Sequence, residues 1–284
     1  MPINNNPVIN ALTIDVEDYF QVNAFSKVIR YSDWPKFECR VEKNTYRILD
    51  LVADRAHCTF FILGWVAERF PNIVREIHRR GHEVACHGYA HQVIFNQTRE
   101  QFREDVSRAK AILEDITGER VLGYRAPTYS ITLKTLWALD VLYDLGFSYD
   151  SSIFPIKHDV YGFPEAPRFP FLFPCKGENG QKSIREFPMT TIRILNNNFP
   201  VSGGGYFRLY PYSATRRLLR SINELEKQPF IFYFHPWEID PGIPKIDKIG
   251  LRSRFRTYVN IDKTEGRFEK LLQDFHFTPL KSFI

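Results

Sequence analysis

This chain has little of what marks several common protein classes. Its four cysteines, Cys39, Cys58, Cys86 and Cys175, stand far apart with no Cys-x-x-Cys pair, so neither a cysteine zinc finger nor a disulfide framework is encoded. Cys58 and Cys86 fall in apolar runs and read as small buried hydrophobes. No apolar run approaches the ~20 residues needed to span a bilayer. Met1–Asn6 lacks the basic-then-apolar plan of a secretory leader, so the expectation is a cytoplasmic chain, or a periplasmic one if a leader has been removed. Charge of one sign is scarce too: 38 Lys and Arg against 33 Asp and Glu give +5, scattered without a basic block, which argues against a nucleic-acid partner. There is no Gly-x-Ser-x-Gly elbow and no dinucleotide fingerprint, and Gly177 to Ser183 fails the spacing of a phosphate loop.

What is present is an ordinary soluble composition, 44% hydrophobic and 25% charged, with an excess of aromatics at 15%. The first half alternates strand and helix patterns. Strands are expected over 11–14, 58–63, 84–86 and 122–125. Helices are expected over 41–54, from Pro71 to a stop at Gly81, over 98–117 behind Thr98 as N-cap, and over 132–145. Such units favour a parallel sheet. From about 154 to 211 the texture changes: eight of the 18 prolines lie there, so short strands and loops forming an insertion over the site are expected. A helix over 214–227, a strand over 229–234 and a helix over 266–275 then follow, and 1–284 reads as a single catalytic domain.

The polar residues fall at the ends of these strands. His87 and His91 stand four apart after 84–86, which on a helical turn puts both imidazoles on one face and within reach of one cation. His78 and His82 share that spacing but read as an exposed helix end, and His57, His158 and His276 as isolated surface or core residues. Two imidazoles suit zinc or another late divalent metal and need an anionic third ligand. The triplet Asp15, Glu17, Asp18 supplies candidates, one acid to ligate and another to act as general base. Arg125, ending 122–125, has the geometry to clamp Asp15. His235, ending a strongly apolar strand, is placed as a general acid.

The order strand-Asp-x-acid, Thr-Phe-Phe, His-x-x-x-His, Arg-x-Pro and a late strand-His resembles the polysaccharide deacetylases of carbohydrate esterase family 4, from about Leu12 to Trp237. Thr13 to Phe20 looks closest to a bacterial subgroup found with exopolysaccharide loci and related to peptidoglycan deacetylases and allantoinase-like enzymes. The resemblance implies an α/β fold, an irregular seven-stranded (β/α) barrel. It also implies one divalent metal, most simply Zn2+, held by His87, His91 and Glu17, with Asp18 the alternative acid because Val16 separates the first two. Asp15 becomes the general base, Arg125 its positioner, His235 the general acid, and Asp150 the group that orients His235. The backbone N–H near Thr128 becomes an oxyanion donor, Thr128 standing where relatives have tyrosine and Tyr129 following it.

The implied reaction is removal of N-acetyl groups from amino sugars of a bacterial polysaccharide or its precursor, in association with polysaccharide assembly machinery. Aromatic side chains stack on sugar faces, and Tyr161, Phe163, Tyr206 and Trp237 are candidates. Arg208, beside the glycine run 203–205, would suit the rival reading, an allantoinase-like amidohydrolase on a small cyclic amide. A second rival is an inactive carbohydrate-binding protein.

Overall fold

The computed structural model describes residues 7–158, 160–177 and 180–284; the Met1–Asn6 leader reading lies outside them. Strand β1 (Ile9–Val16) is buried along its whole length after Ile9, as a strand flanked on both edges and covered on both faces must be. Helix α1 (Val41–Val52) lays Val41, Thr45, Ile48, Leu49 and Val52 inward, and β2 (Thr59–Ile62) follows. A short α2 (Gly64–Arg69) leads into α3 (Pro71–Arg79), which opens on its proline, and then β3 (Glu83–Cys86). Helix α4 (Arg99–Thr117) starts at a reciprocal cap in which Thr98 and Gln101 each take the other's backbone N–H, and it ends on left-handed Gly118. Next come β4 (Gly123–Tyr124), α5 (Trp137–Asp144) and β5 (Tyr149–Asp150).

The proline-rich segment contributes β6 (Phe171–Gly177), β7 (Gly180–Glu186), a separate hairpin of β8 (Thr191–Ile194) with β9 (Asn197–Pro200), and α6 (Gly204–Leu209). The chain closes with α7 (Tyr212–Glu224), β10 (Ile231–Phe234), α8 (Leu251–Tyr258), α9 (Thr264–Asp274) and β11 (His276–Thr278).

Among the described residues nine strands form one sheet, ordered β10-β1-β2-β3-β4-β5-β7-β6, with β11 on β1. The seven neighbours from β10 to β7 are parallel and only β6 runs against them, so the fold is α/β with a mostly parallel sheet, as the alternating pattern implies. The segment 154–211 departs from the expected cover over the site. Its β6 and β7 extend the central sheet, and among its described residues His158, Val160 and Tyr161 line the cleft.

Parallel register brings the functional ends to one rim. Ile14 pairs with Phe234 and Phe60, Cys86 with Tyr124, and Tyr124 with Asp150. One residue further along these strands stand Asp15, His235, His87, Arg125 and Ser151, at the edge where open α/β sheets and barrels carry their sites.

Candidate active site

Asp15 is the first of these groups and the most firmly held. Its Oδ1 accepts from Arg125 Nη1 at 2.7 Å, and that nitrogen also donates to Thr13 Oγ1 at 2.7 Å. Arg125 is fully buried: its Nε donates to the Ser151 carbonyl, its Nη2 donates to Ser151 Oγ, and its guanidinium lies 4.2 Å over the Phe61 ring. A guanidinium so tied is a fixed counter-charge, the role its position at a strand end implies.

His87 and His91 do not share a helical turn. His87 leaves β3 into a tight loop in which Gly88 takes φ +73° and His91 φ +50°. A Cβ at Gly88 would meet Asp105 Oδ2 at 2.8 Å, and this carboxylate on α4 accepts the Tyr89 and Ala90 N–H groups, pinning the loop. His87 Nδ1 lies 2.8 Å from the Arg125 carbonyl, which can only accept, so Nδ1 carries the proton and Nε2 is the free lone pair. Burial pushes the His87 ring down to about 4, which keeps it neutral as a ligand must be.

Ligand atoms of Glu17, His87 and His91 all lie within 4.8 Å of one another. Glu17 Oε2 is buried and lies 2.7 Å from His91 Nε2. A carboxylate oxygen and a ring nitrogen this close, both offering lone pairs when the ring is neutral, suit a shared cation. Two imidazoles and one carboxylate are a donor set of catalytic zinc sites that keep a position open, so these residues fit a divalent metal. Against the burial that opposes ionisation, His91, His235 and His87 hold Glu17 down to about 2. Asp18, the alternative, turns away. Its oxygens accept from the Tyr19, Arg40 and Val41 N–H groups, capping the start of α1.

His235 Nε2 stands 3.9 Å from Asp15 and 3.6 Å from Glu17. The expected partner of its other nitrogen is replaced. His235 Nδ1 lies 2.6 Å from Glu238 Oε1, whereas Asp150 is turned to Ser152, accepting its N–H and its Oγ–H at 3.1 and 2.6 Å. Glu238 sits one 3-10 turn beyond His235 and reaches back to it, while Asp150 ends a strand on the other side of Arg125. Burial opposes the charged ring, but the Glu238 hydrogen bond and the Glu17 and Asp15 charges raise His235 to about 9.

Arg208 is likewise not open to a ligand. It is buried, paired with Glu238 Oε2, donates to the Arg256 carbonyl at 2.6 Å and covers the Trp237 ring. Tyr206 packs near Tyr210 and is not among the residues lining the cleft. Trp237 does line it: its ring stacks on His235 and its Nε1–H donates to Glu17 Oε1 at 3.4 Å.

The cleft over these groups is open, about 750 Å³, and Thr128, Tyr129, His158, Tyr161 and Tyr233 are among the residues that wall it. Thr128 and Tyr129 both adopt left-handed backbone, φ +57° and +51°, a costly conformation for a β-branched residue and typical of a turn shaped for a ligand. The turn uses the Tyr129 N–H on Ala126 and the Ser130 N–H on Pro127. Tyr129 is buried, ringed by Tyr233, Phe154 and Tyr161, and its hydroxyl has no hydrogen-bond partner among the described residues. His158, read from the sequence as an isolated histidine, stacks on Tyr161 at 3.9 Å and borders the cleft. His82, read as exposed, is buried and accepts the Cys58 N–H. Glu238 and Ser151 escaped sequence reasoning. A glutamate three residues after His235 was the available signal for the first, and nothing local marks the second.

Residues 28–149 match the family model described as polysaccharide deacetylase, and residues 151–284 match one described as a domain of unknown function, DUF3473. The peptidoglycan deacetylase-like protein FGM2 of Gibberella zeae is 34% identical over 122 residues, 42% of this chain and 35% of that protein. A peptidoglycan-N-acetylglucosamine deacetylase of Bacillus cereus is 31% identical over 120 residues, 42% of each. The chain therefore spans about two-fifths of the length of these curated relatives. A solved structure from Mycobacterium smegmatis, assigned to the polysaccharide deacetylases, superposes with TM-score 0.59 at 18% identity, covering 98% of this chain and 93% of the other. PuuE allantoinase gives TM-score 0.59 at 18% identity over 96% and 88%. At such identity the likeness is one of fold.

Proposed function

We propose that this chain, whose residues 28–149 match the polysaccharide deacetylase model, is a metal-dependent hydrolase removing N-acetyl groups from amino sugars of a bacterial polysaccharide or its precursor. One observation carries the reading. A charge-clamped carboxylate, a His-His-Glu cluster and an imidazole backed by a carboxylate converge on the floor of one open cleft.

Glu17, His87 and His91 would hold the metal, and Zn2+ suits their donor set. When bound, the cation supplies Lewis-acid polarisation of the acetyl carbonyl and acidifies water to a pKa of about 7. Asp15 takes the proton of the attacking water on Oδ2, since Oδ1 is committed to Arg125. The Thr128 N–H, which neither bond of its turn uses, is the donor to the developing oxyanion. His235 Nε2 delivers a proton to the departing amine, which is otherwise too poor a leaving group, while Glu238 holds Nδ1. Trp237, Tyr129 and Tyr161 offer apolar faces to the sugar rings, as does the His158 ring stacked on Tyr161.

The allantoinase-like rival needs a tight, anion-holding pocket. Arg208 is spent on Glu238 and the cleft is wide, so the residue that suggested the rival does not support it. A binding protein has no use for the Arg125-clamped Asp15 or the Glu238-backed His235. The test is metal content by elemental analysis together with acetate release from N-acetylated amino-sugar oligomers. One metal per chain, with release abolished by a chelator and restored by zinc, is the expected result. A loaded protein that releases no acetate from any oligomer would overturn the reading.

A further inference from the structure

Helix α8 carries an outer face that the site does not use. Leu251 is 85% exposed and Phe255 56% exposed, four residues apart and therefore on one stripe of the helix. At 100° per residue, Arg254 flanks that stripe on one side, and Arg252 and Arg256 flank it on the other. The helix contains no acidic residue. Its inner side is anchored: Thr257 is buried, the Tyr258 hydroxyl bonds the 244–246 backbone, and the Arg256 carbonyl accepts from Arg208, which holds Glu238.

Arg252 and Arg256 also line the cleft, with Lys27 and Lys248, and among the described residues the acids lining it are Asp15 and Glu17 on its floor. The exposed apolar side chains Val28, Phe95 and Val160 stand around the same opening.

We propose that α8 docks on an anionic lipid bilayer and holds the cleft mouth against the membrane surface. An apolar stripe between arginines is the pattern of a helix lying in a bilayer interface: Leu and Phe enter the acyl boundary and the guanidinium groups meet lipid phosphates. Exposed apolar side chains rimmed by polar ones mark interaction surfaces of this kind. An acidic polysaccharide would engage the arginines but has no use for an outward Leu251 and Phe255. No helix among the described residues is long and apolar enough to cross a membrane, and the contact proposed is through the outer face of α8. The inference does not depend on the deacetylase reading.

The test is co-sedimentation of the full chain with vesicles of phosphatidylcholine alone or mixed with phosphatidylglycerol, at low and high salt. Binding to the mixed vesicles is expected, weakened by salt because charge contributes. It should fall roughly fivefold for Arg254→Gln, as the loss of one juxtamembrane cation implies, and at least about tenfold for L251S/F255S, which removes the buried apolar area. Both variants leave the cleft lining intact, so circular dichroism and acetate release from a soluble oligosaccharide should match the parent. The proposal is overturned by failure to bind either vesicle, by equal binding to both, by parent-like binding of L251S/F255S, or by retention on an immobilised acidic polysaccharide in place of vesicles.

Discussion

Glu238 stands between His235 and Arg208: one carboxylate oxygen lies 2.6 Å from His235 Nδ1 and the other is paired with the buried Arg208 guanidinium. A single side chain thereby fixes the ring that faces Asp15 and links it, through Arg208, to the backbone of α8. The carboxylate also accepts the His235 N–H, so ring and backbone are held together.

Replacing Glu238 by Gln keeps the shape and removes the charge that raises His235. The ring then loses its proton at a lower pH than the parent's value of about 9, so the alkaline limb of the kcat profile moves down. A fall in kcat of about tenfold to a hundredfold is expected, the usual cost of losing the partner that orients a functional histidine. Metal content should not change. An unmoved alkaline limb would show that Glu238 only packs.

Glu17 and Asp18 are adjacent acids with separable consequences. Glu17→Gln should lower zinc affinity by at least about tenfold, read by competition with a chelating dye, with little effect on the stability of the metal-free protein. Asp18→Ala should leave zinc affinity intact and destabilise the fold by about 1–2 kcal/mol in urea titrations, because it uncaps the start of α1. Reversal of the two phenotypes would exchange the assignments.

Asp15→Asn retains an acceptor for Arg125 but removes both the base and the counter-charge. Turnover is expected to fall about 10²–10⁴-fold. An uncompensated buried guanidinium should cost on the order of 3–5 kcal/mol, visible as a lower urea midpoint. Loss of turnover with undiminished stability would mean that Arg125 is balanced by some other group.

Stability on the acid side should carry the signature of His82. Burial, and then the charges of His57 and Arg80, lower its ring to about 4 from the ordinary 6.5, and Nδ1 is engaged as the acceptor of the Cys58 N–H. Between those two values the unfolded chain binds a proton that the folded chain refuses. Stability contributed by the neutral ring is therefore present above about 6.5 and is lost as pH falls towards 4. His82→Asn, which keeps an acceptor and cannot titrate, should flatten the decline in urea stability across that window in chelator-treated protein. Parallel pH profiles for parent and variant would refute the assignment.

The sequence by itself determined which residues end the strands and what chemistry they bring. Strand and helix periods are local, and so Asp15, His87, Arg125 and His235 could be placed at strand ends from residue type and spacing, with the Thr98 cap and the Pro71 start bounding the helices between them. Parallel pairing then requires those ends to meet at one rim, which is why the set was legible before any coordinate.

The tertiary structure alone decided which neighbour each group chose. Asp18 and Glu17 are chemically alike, and only the approach of the Arg40 and Val41 N–H groups, from over twenty residues away, takes Asp18 out of the site. Asp150 and Glu238 were both available to His235, and the choice turned on a 3-10 turn that brings Glu238 back while Ser152 occupies Asp150. Arg208 looked free in the glycine-rich run and is locked by Glu238 and the Arg256 carbonyl. Hydrogen bonds and ion pairs act over a few ångströms, and sequence spacing does not set distances of that order between segments that meet only in the folded chain.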